Sequence, residues 1–278
     1  MRAPLSSSST LTYCVVRPVT SALLVAAALL AGCGDGGDDA TSPATPNPPP
    51  APAPTPALSQ AQGIWQSAAG ASTTVSAIVL PDGVLWAVLV NGAGASASTT
   101  TRVLKATLSA QGSGYSATGK SYRLGGGASA PGSVPVAASV LEKSALEVRV
   151  GTGAGAESLA LAWQVRYDSP AQLADLAGNW SATVGPGVVR LAVDAQGRIT
   201  GSRTTGCTYT GQLSLRAERK AVVDAQLQED CAGARVQLSG VATAQAAFTT
   251  ATGTVPAQLN MVLTTADEAQ AVLLALQR

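Results

Sequence analysis

The chain of 278 residues contains no histidine, a single phenylalanine and few charged residues, which make up 12% of the sequence. The lack of histidine excludes Ser-His-Asp and Cys-His catalysis, a zinc site with histidine ligands and a histidine pH switch. The 17 Lys and Arg residues are balanced by 16 Asp and Glu residues, so the net charge is +1. Because binding to phosphate backbones needs clustered positive charge, we expect no nucleic acid partner.

The N-terminal segment has the features of an export signal. Arg2 and Arg17 precede an uncharged apolar run over residues 19–32, which reads VTSALLVAAALLAG. This run is shorter than the roughly 20 residues that a transmembrane helix needs. It has the length of the hydrophobic region of a secretory signal peptide, so we expect the protein to be exported.

The end of this run, Leu30-Ala31-Gly32-Cys33, resembles the lipobox of bacterial lipoproteins. The resemblance implies that residues 1–32 are a signal peptide and that Cys33, after the cut, carries a diacylglycerol on its sulfur and an acyl chain on its amine. Two or three acyl chains anchor a protein stably in a membrane. In this family an Asp directly after the Cys favours the inner membrane; Gly34 stands there, so the outer membrane is expected, with the protein periplasmic or surface-exposed. An ordinary signal peptide or a short membrane anchor is the alternative.

Residues 33–58 link the expected anchor to the rest of the chain. After Cys33 this segment begins with Gly and Asp residues and continues to PPPAPAPTP, a composition that cannot form a core. Proline-rich chains prefer polyproline II, which rises about 3.1 Å per residue. We therefore predict a disordered spacer that holds the following domains away from the membrane.

The remaining sequence contains an imperfect twofold repeat. Gly63-Ile64-Trp65 and Gly178-Asn179-Trp180 each begin a copy, and an Asp follows the Trp by 17 residues in the first copy and by 14 in the second. Each copy has the size of a domain. We predict two β domains, over residues 59–170 and 171–278.

Both copies alternate apolar and polar residues with a period of two. Val189, Leu191 and Val193, for example, fall on one face of a strand. This pattern is typical of antiparallel sheets with one buried face. With about eight strands per copy, we predict an all-β fold of two small up-and-down barrels, with a β-sandwich as the alternative. Residues 169–177, which read SPAQLADLA, are predicted to form a short connecting helix capped by Ser169.

The Gly-x-Trp motif at the start of each copy resembles the opening motif of lipocalin and avidin barrels. The second copy, with Gly206-Cys207-Thr208-Tyr209 and a later cysteine, also resembles uncharacterised repeat lipoproteins of beta-proteobacteria. These resemblances imply a barrel architecture and bring no activity with them. Because an eight-stranded barrel can hold one apolar ligand, Trp65, Trp86 and Trp163 are candidates to line such a site in the first barrel.

Two cysteines remain after the expected loss of Cys14 with the signal peptide and the acylation of Cys33. Cys207 and Cys231 both lie in the second copy and in an oxidising compartment, so we predict a disulfide bond between them. Closing a loop of this size stabilises a fold by about 3–4 kcal/mol in the chain-entropy treatment. Two free thiols or a metal pair are the alternatives. Two cysteines without histidine make a poor metal site, so no metal and no other cofactor is predicted.

Residues 114–121, which read GYSATGKS, match the phosphate-binding pattern G-x-x-x-x-G-K-S/T. Such a loop needs a helix directly after the lysine, because helical N–H groups hold the phosphate. Three consecutive glycines follow here and forbid a helix of useful length. We therefore predict a glycine-rich hairpin with a solvated Lys120 and no nucleotide partner.

Glu229 and Asp230 are adjacent carboxylates next to a cysteine. Neighbouring residues of a strand point to opposite faces, so these two side chains are poorly placed to act as a general acid and base. A solvated turn is predicted for them instead.

No catalytic constellation accompanies the anchor and the two predicted barrels. We therefore expect a membrane-anchored envelope lipoprotein with a non-enzymatic binding or scaffolding role. Its expected partners are the membrane, through the lipid anchor, and either an envelope protein or a small hydrophobic ligand. A carrier of a small hydrophobic ligand is one alternative function, and an enzyme of unknown class is the other.

Overall fold

The computed structural model describes residues 55–92, 100–125, 130–250 and 253–278. The predicted signal peptide, the predicted lipidation site Cys33 and most of the predicted spacer lie outside these residues. The described chain is nearly all β-strand, as predicted. No helix within it has the length and apolar composition needed to cross a membrane.

Eight antiparallel strands close into the first barrel, and its last strand pairs with its first. A short helix, α1, precedes them over Leu58–Ala61. The strands are β1 Gly63–Ser67, β2 Thr73–Val79, β3 Val84–Asn91, β4 Thr100–Thr107, β5 Ser109–Gln111, β6 Gly114–Leu124, β7 Gly132–Leu141, β8 Ala145–Val150 and β9 Glu157–Trp163. Strand β4 pairs directly with β6, and β5 only extends the edge of β6.

The second barrel also has eight strands, in the order β10-β11-β12-β13-β14-β15-β18-β19. A 3-10 turn over Val165–Asp168 and a short helix, α2, over Leu173–Leu176 connect the two barrels. The strands are β10 Gly178–Val184, β11 Gly187–Val193, β12 Arg198–Arg203, β13 Thr208–Leu215, β14 Val223–Cys231, β15 Ala234–Gln245, β16 Phe248–Thr250, β17 Gly253–Val255, β18 Gln258–Thr265 and β19 Ala271–Gln277. Strands β16 and β17 form a separate hairpin. The prediction of two consecutive eight-stranded barrels is confirmed.

Each barrel begins with the same local arrangement of a short helix, a glycine and a tryptophan. The indole Nε1 of Trp65 donates a hydrogen bond to the backbone oxygen of Ala61 at 3.0 Å, and that of Trp180 donates to Leu176 at 2.8 Å. Both indoles are buried in the core of their own barrel. Since a buried indole N–H needs a partner, this hydrogen bond attaches each short helix to the barrel that follows it.

The connecting helix is shorter than predicted. Only Leu173–Leu176 are helical, and Gln172 before them has an extended backbone and provides no side-chain cap. The backbone N–H of Ala171 donates to the oxygen of Lys220 at 3.3 Å. This contact with the loop between β13 and β14 holds the start of the predicted helix extended. Ser169 therefore does not cap α2, and its backbone N–H instead donates to Arg166 at the end of the 3-10 turn.

Outward-facing apolar side chains of the two barrels pack against each other. They form one buried cluster of Ile64, Ile78, Leu80, Trp86, Val103 and Tyr122 from the first barrel, Tyr167 from the connector, and Val222, Val241 and Val262 from the second barrel. The strands of the first barrel therefore carry apolar residues on both faces in this region. Because apolar burial contributes about 25 cal/mol per Å² removed from water, this cluster is the main contact that joins the barrels.

A charged cluster lies beside this interface. Glu268, in the turn between β18 and β19, pairs with Lys105 at 2.7 Å and with Lys120 at 3.1 Å. The hydroxyl of Tyr122 donates to the backbone oxygen of Glu268 at 3.0 Å. The ammonium of Lys105 lies 4.8 Å from the centre of the Trp86 ring. The side chains of the first barrel thus hold one turn of the second barrel.

The prediction for residues 114–121 is right in part. The segment begins strand β6, which forms a hairpin with β5 and also pairs with β4 and β7, so it is not a phosphate-binding loop. Lys120 is not simply solvated, because it pairs with Glu268 of the other barrel. The sequence alone does not indicate this ion pair, because Glu268 follows Lys120 by 148 positions. Only the packing of the two barrels brings the turn that carries Glu268 close to Lys120.

The pKa of the Glu268 carboxyl is held below its ordinary value, chiefly by the hydrogen bond from Lys105, with a further bond from Lys120. A carboxyl whose folded-state pKa is lowered stabilises the fold above its unfolded-state pKa, and this contribution is lost as the pH falls through the folded-state pKa. We expect Glu268→Gln to lower the free energy of unfolding by about 1 kcal/mol or less at pH 7, since the pairs are partly exposed. At pH 3 the difference in the free energy of unfolding between this variant and the wild type should be smaller. Urea unfolding between pH 3 and pH 7 measures this difference.

Glu147→Gln is the matched control, because Glu147 is exposed on β8 and forms no ion pair among the described residues. Its pH dependence should follow the wild type. Identical acid dependence for the Glu268 variant and the wild type would show that the charged cluster does not stabilise the contact between the barrels.

Candidate functional site

The three tryptophans predicted to share the interior of the first barrel do not lie together there. Trp65 is fully buried inside the barrel. Trp86 lies on the outer face, in the cluster between the barrels, because it follows the inward-facing Leu85 on the same strand. Trp163 is only partly buried at the end of β9, where the ammonium of Lys143 lies 5.4 Å from its ring centre. The prediction of a shared lining is therefore wrong for Trp86.

The interior of the first barrel is occupied by its own side chains. Around Trp65 lie large residues that are at most 1% exposed, namely Leu85, Leu89, Leu104 and Leu146. The interior of an eight-stranded barrel is just wide enough for side chains to fill. A ligand would have to displace this core, so the first barrel is a poor place for the predicted hydrophobic site.

The second barrel differs, because one of its ends opens into a cavity of about 600 Å³. Four inward-facing residues that are at most 3% exposed form its apolar floor, namely Val189, Leu227, Leu238 and Leu274. Strands β10 and β19 line the cavity on one side, and Thr101 and Leu124 of the first barrel lie beside it. We call this cavity, with its floor and rim, the mouth of the second barrel.

The seam between β10 and β19 explains why the mouth is open. These two strands share a single register pair, Ser181 with Gln277, whereas β10 and β11 are paired along their whole length. The paired residues lie toward the C-terminus of β19, at the end of the barrel away from the mouth. The strands therefore separate toward the mouth, where Ala182 and Val184 of β10 line the cavity.

Three polar side chains stand at the rim of the mouth. The hydroxyl of Tyr209 donates to Oε1 of Glu229 at 2.6 Å. The Nη2 of Arg203 donates to the backbone oxygen of Val184 at 2.7 Å. The Nε of Arg203 is buried and has no hydrogen-bond partner among the described residues. Buried polar groups are usually paired, and the Nε of Arg203 is an exception that packs beside Gly187.

Electrostatics keep Tyr209 protonated at the rim. Burial raises the pKa of its hydroxyl most, the hydrogen bond to Glu229 and the negative charge of Glu229 raise it further, and the positive charge of Arg203 and a hydrogen bond from its guanidinium lower it. Glu229 and Arg203 thus both act on the same hydroxyl and lie at the same part of the rim. At neutral pH Tyr209 is a hydrogen-bond donor and not a base.

The predicted disulfide bond is present beside the rim. The sulfur atoms of Cys207 and Cys231 are 2.04 Å apart, and the bond joins the residue directly before β13 to the last residue of β14. A carboxylate oxygen of Glu229 lies within 4.8 Å of both sulfurs. Since the sulfurs are bonded to each other, they are not metal ligands in this state, and the disulfide instead fixes the two strands that carry Tyr209 and Glu229.

The solvated turn predicted for Glu229 and Asp230 is wrong. Both residues belong to strand β14, and their side chains point to opposite faces as the alternation requires. Glu229 is partly buried at the mouth, whereas Asp230 pairs with Arg235 at 2.9 Å. The signal was present in the sequence, because the inward period of two that runs through Ala225 and Leu227 continues to Glu229.

A second cavity of about 450 Å³ lies at the opposite end of the second barrel, near α2. The guanidinium of Arg278 covers the ring of Trp180 there, 4.5 Å from its centre, and donates to the backbone oxygen of Ala177. Arg166 donates to Gln245 at 3.1 Å in the same cavity. Because the aromatic surface is already covered by a cation of the chain itself, this cavity offers less apolar surface to a ligand than the mouth does.

Comparison of the chain with known proteins found no matching protein family, no similar curated protein and no similar solved structure. The function must therefore be argued from the arrangement of the residues.

Proposed function

We propose that this protein is a lipid-anchored envelope protein with a non-enzymatic binding role, and that the mouth of the second barrel is its binding site. The open cavity with an apolar floor and a polar rim carries this proposal. Concave, mostly apolar sites with a few placed polar groups are typical of small-molecule binding. The filled interior of the first barrel makes that domain a support for the second.

The rim supports binding in preference to catalysis. A general base at neutral pH needs a pKa near 7, whereas the pKa of Tyr209 is raised from its ordinary value of 10.0. One oxygen of Glu229 accepts the Tyr209 hydrogen bond. The chain has no histidine to supply the missing base.

A carrier of a small hydrophobic ligand is the form of this role that the floor favours. The four floor residues present only aliphatic side chains to the cavity. The carrier function therefore moves from the first barrel, where the tryptophans suggested it, to the second.

The binding site is tested with N-phenyl-1-naphthylamine, an uncharged probe that fluoresces in apolar surroundings. We expect saturable binding to a mature-length chain (residues 33–278, with Cys33→Ser to avoid acyl chains). Ala182→Phe places a ring in the mouth and should weaken binding at least about tenfold, or 1.4 kcal/mol. Ala192→Phe, on the exposed face of β11, should bind like the parent chain. Equal binding by the two variants, or none by the parent chain, would overturn the assignment of the mouth.

The anchor is tested separately on the native product. We expect its first residue to be Cys33, with the mass of a diacylglycerol and an N-linked acyl chain, and we expect Cys33→Ser to remove that mass and release the protein from the membrane fraction. Cys14→Ser should change neither, because Cys14 lies in the part that is cut away. Intact-mass spectrometry and membrane fractionation give the result, and a mature chain that starts elsewhere or lacks acyl mass contradicts the anchor.

A further inference from the structure

We propose that the mouth of the second barrel selects an uncharged amphiphile, whose short apolar tail covers the floor and whose hydroxyl or amide head bonds to Arg203 and Glu229 together. The inference rests on the proposed function and adds the chemical class of the ligand. Three features of the mouth support it: unused hydrogen-bonding capacity, balanced charge and limited depth.

The rim holds a donor group and an acceptor group with capacity to spare. The guanidinium of Arg203 has five N–H donors, of which one on Nη2 bonds to Val184. Glu229 uses Oε1 on Tyr209 and has a second carboxylate oxygen. A head group that accepts from the guanidinium and donates to the carboxylate satisfies both. Hydroxyl and primary amide groups have this double character, whereas a carboxylate only accepts and an ammonium only donates.

The charges at the rim act against ionised heads of either sign. A carboxylate ligand would pair with Arg203 but would meet the negative charge of Glu229. An ammonium ligand would pair with Glu229 but would meet the positive charge of Arg203. Like charges brought together in a partly desolvated site cost several-fold or more in affinity. An uncharged head avoids both costs.

The depth of the mouth limits the tail. Below the floor the barrel interior is filled by Leu191, Leu213 and Met261, each at most 2% exposed. A tail can therefore lie across Val189, Leu227, Leu238 and Leu274 but cannot pass through the barrel. Medium-length alkyl chains fit this shape better than long acyl chains.

Three probes that share an eight-carbon tail test the head group: octan-1-ol, octanoate and octylammonium, the last two ionised at pH 7. Each displaces N-phenyl-1-naphthylamine from the mature-length chain, and the loss of fluorescence gives its affinity. We expect octan-1-ol to bind about tenfold more tightly than either ion. Glu229→Gln removes the negative charge and keeps an oxygen for Tyr209, so octanoate should gain about tenfold and octylammonium should lose affinity.

Asp230→Asn is the matched control, because it removes the same charge one residue away on the outer face of β14. Its ranking of the three probes should equal that of the parent chain, and thermal unfolding confirms that both variants are folded. Equal affinity for all three heads, or an unchanged ranking in Glu229→Gln, overturns the selection of an uncharged head while the mouth remains a binding site. If neither N-phenyl-1-naphthylamine nor any octyl probe binds the parent chain, the proposed function fails as well.

Discussion

The interior of an eight-stranded barrel admits only one inward-facing set of side chains, and the residues placed in that set decide what each domain can do. In the first barrel, Trp65 and large leucines occupy the set, and the interior is full. In the second barrel the set is aliphatic through most of its length but ends at Arg203, Tyr209 and Glu229. These groups cannot pack as a closed apolar end, and the loosely paired β10 and β19 leave them facing a cavity.

The outer faces decide how the domains are combined. Apolar side chains on the outside of the first barrel need cover, and the second barrel provides it through Val222, Val241 and Val262. Lys105 and Lys120 then reach Glu268 beside this cluster. In the proposed function the first barrel is a support for the second, because its own interior is filled by side chains, and it also contributes residues beside the mouth.

The alternation of residues was enough to predict the strands, the closed sheets and the bonded pair Cys207 and Cys231, because these depend on short-range pattern and on a simple count of cysteines. The alternation could not predict the position of Trp86, because a strand that is apolar on both faces gives no sign of which face lies inside the barrel. Lys120 and Glu229 were predicted to be solvated because single-strand reasoning cannot show a partner from a distant turn or strand. The opening between β10 and β19 depends on how the barrel closes, which no local pattern specifies.

The central claim is that a ligand enters the second barrel at its mouth and leaves the first barrel undisturbed. A titration of the mature-length chain with octan-1-ol, followed by methyl ¹³C–¹H NMR, tests this claim most directly. We expect the methyl signals of Leu227, Leu238 and Leu274 to shift with one saturable affinity, and those of Leu85 and Leu146 to stay in place. Shifts confined to the first barrel, or spread over both interiors, would contradict the account.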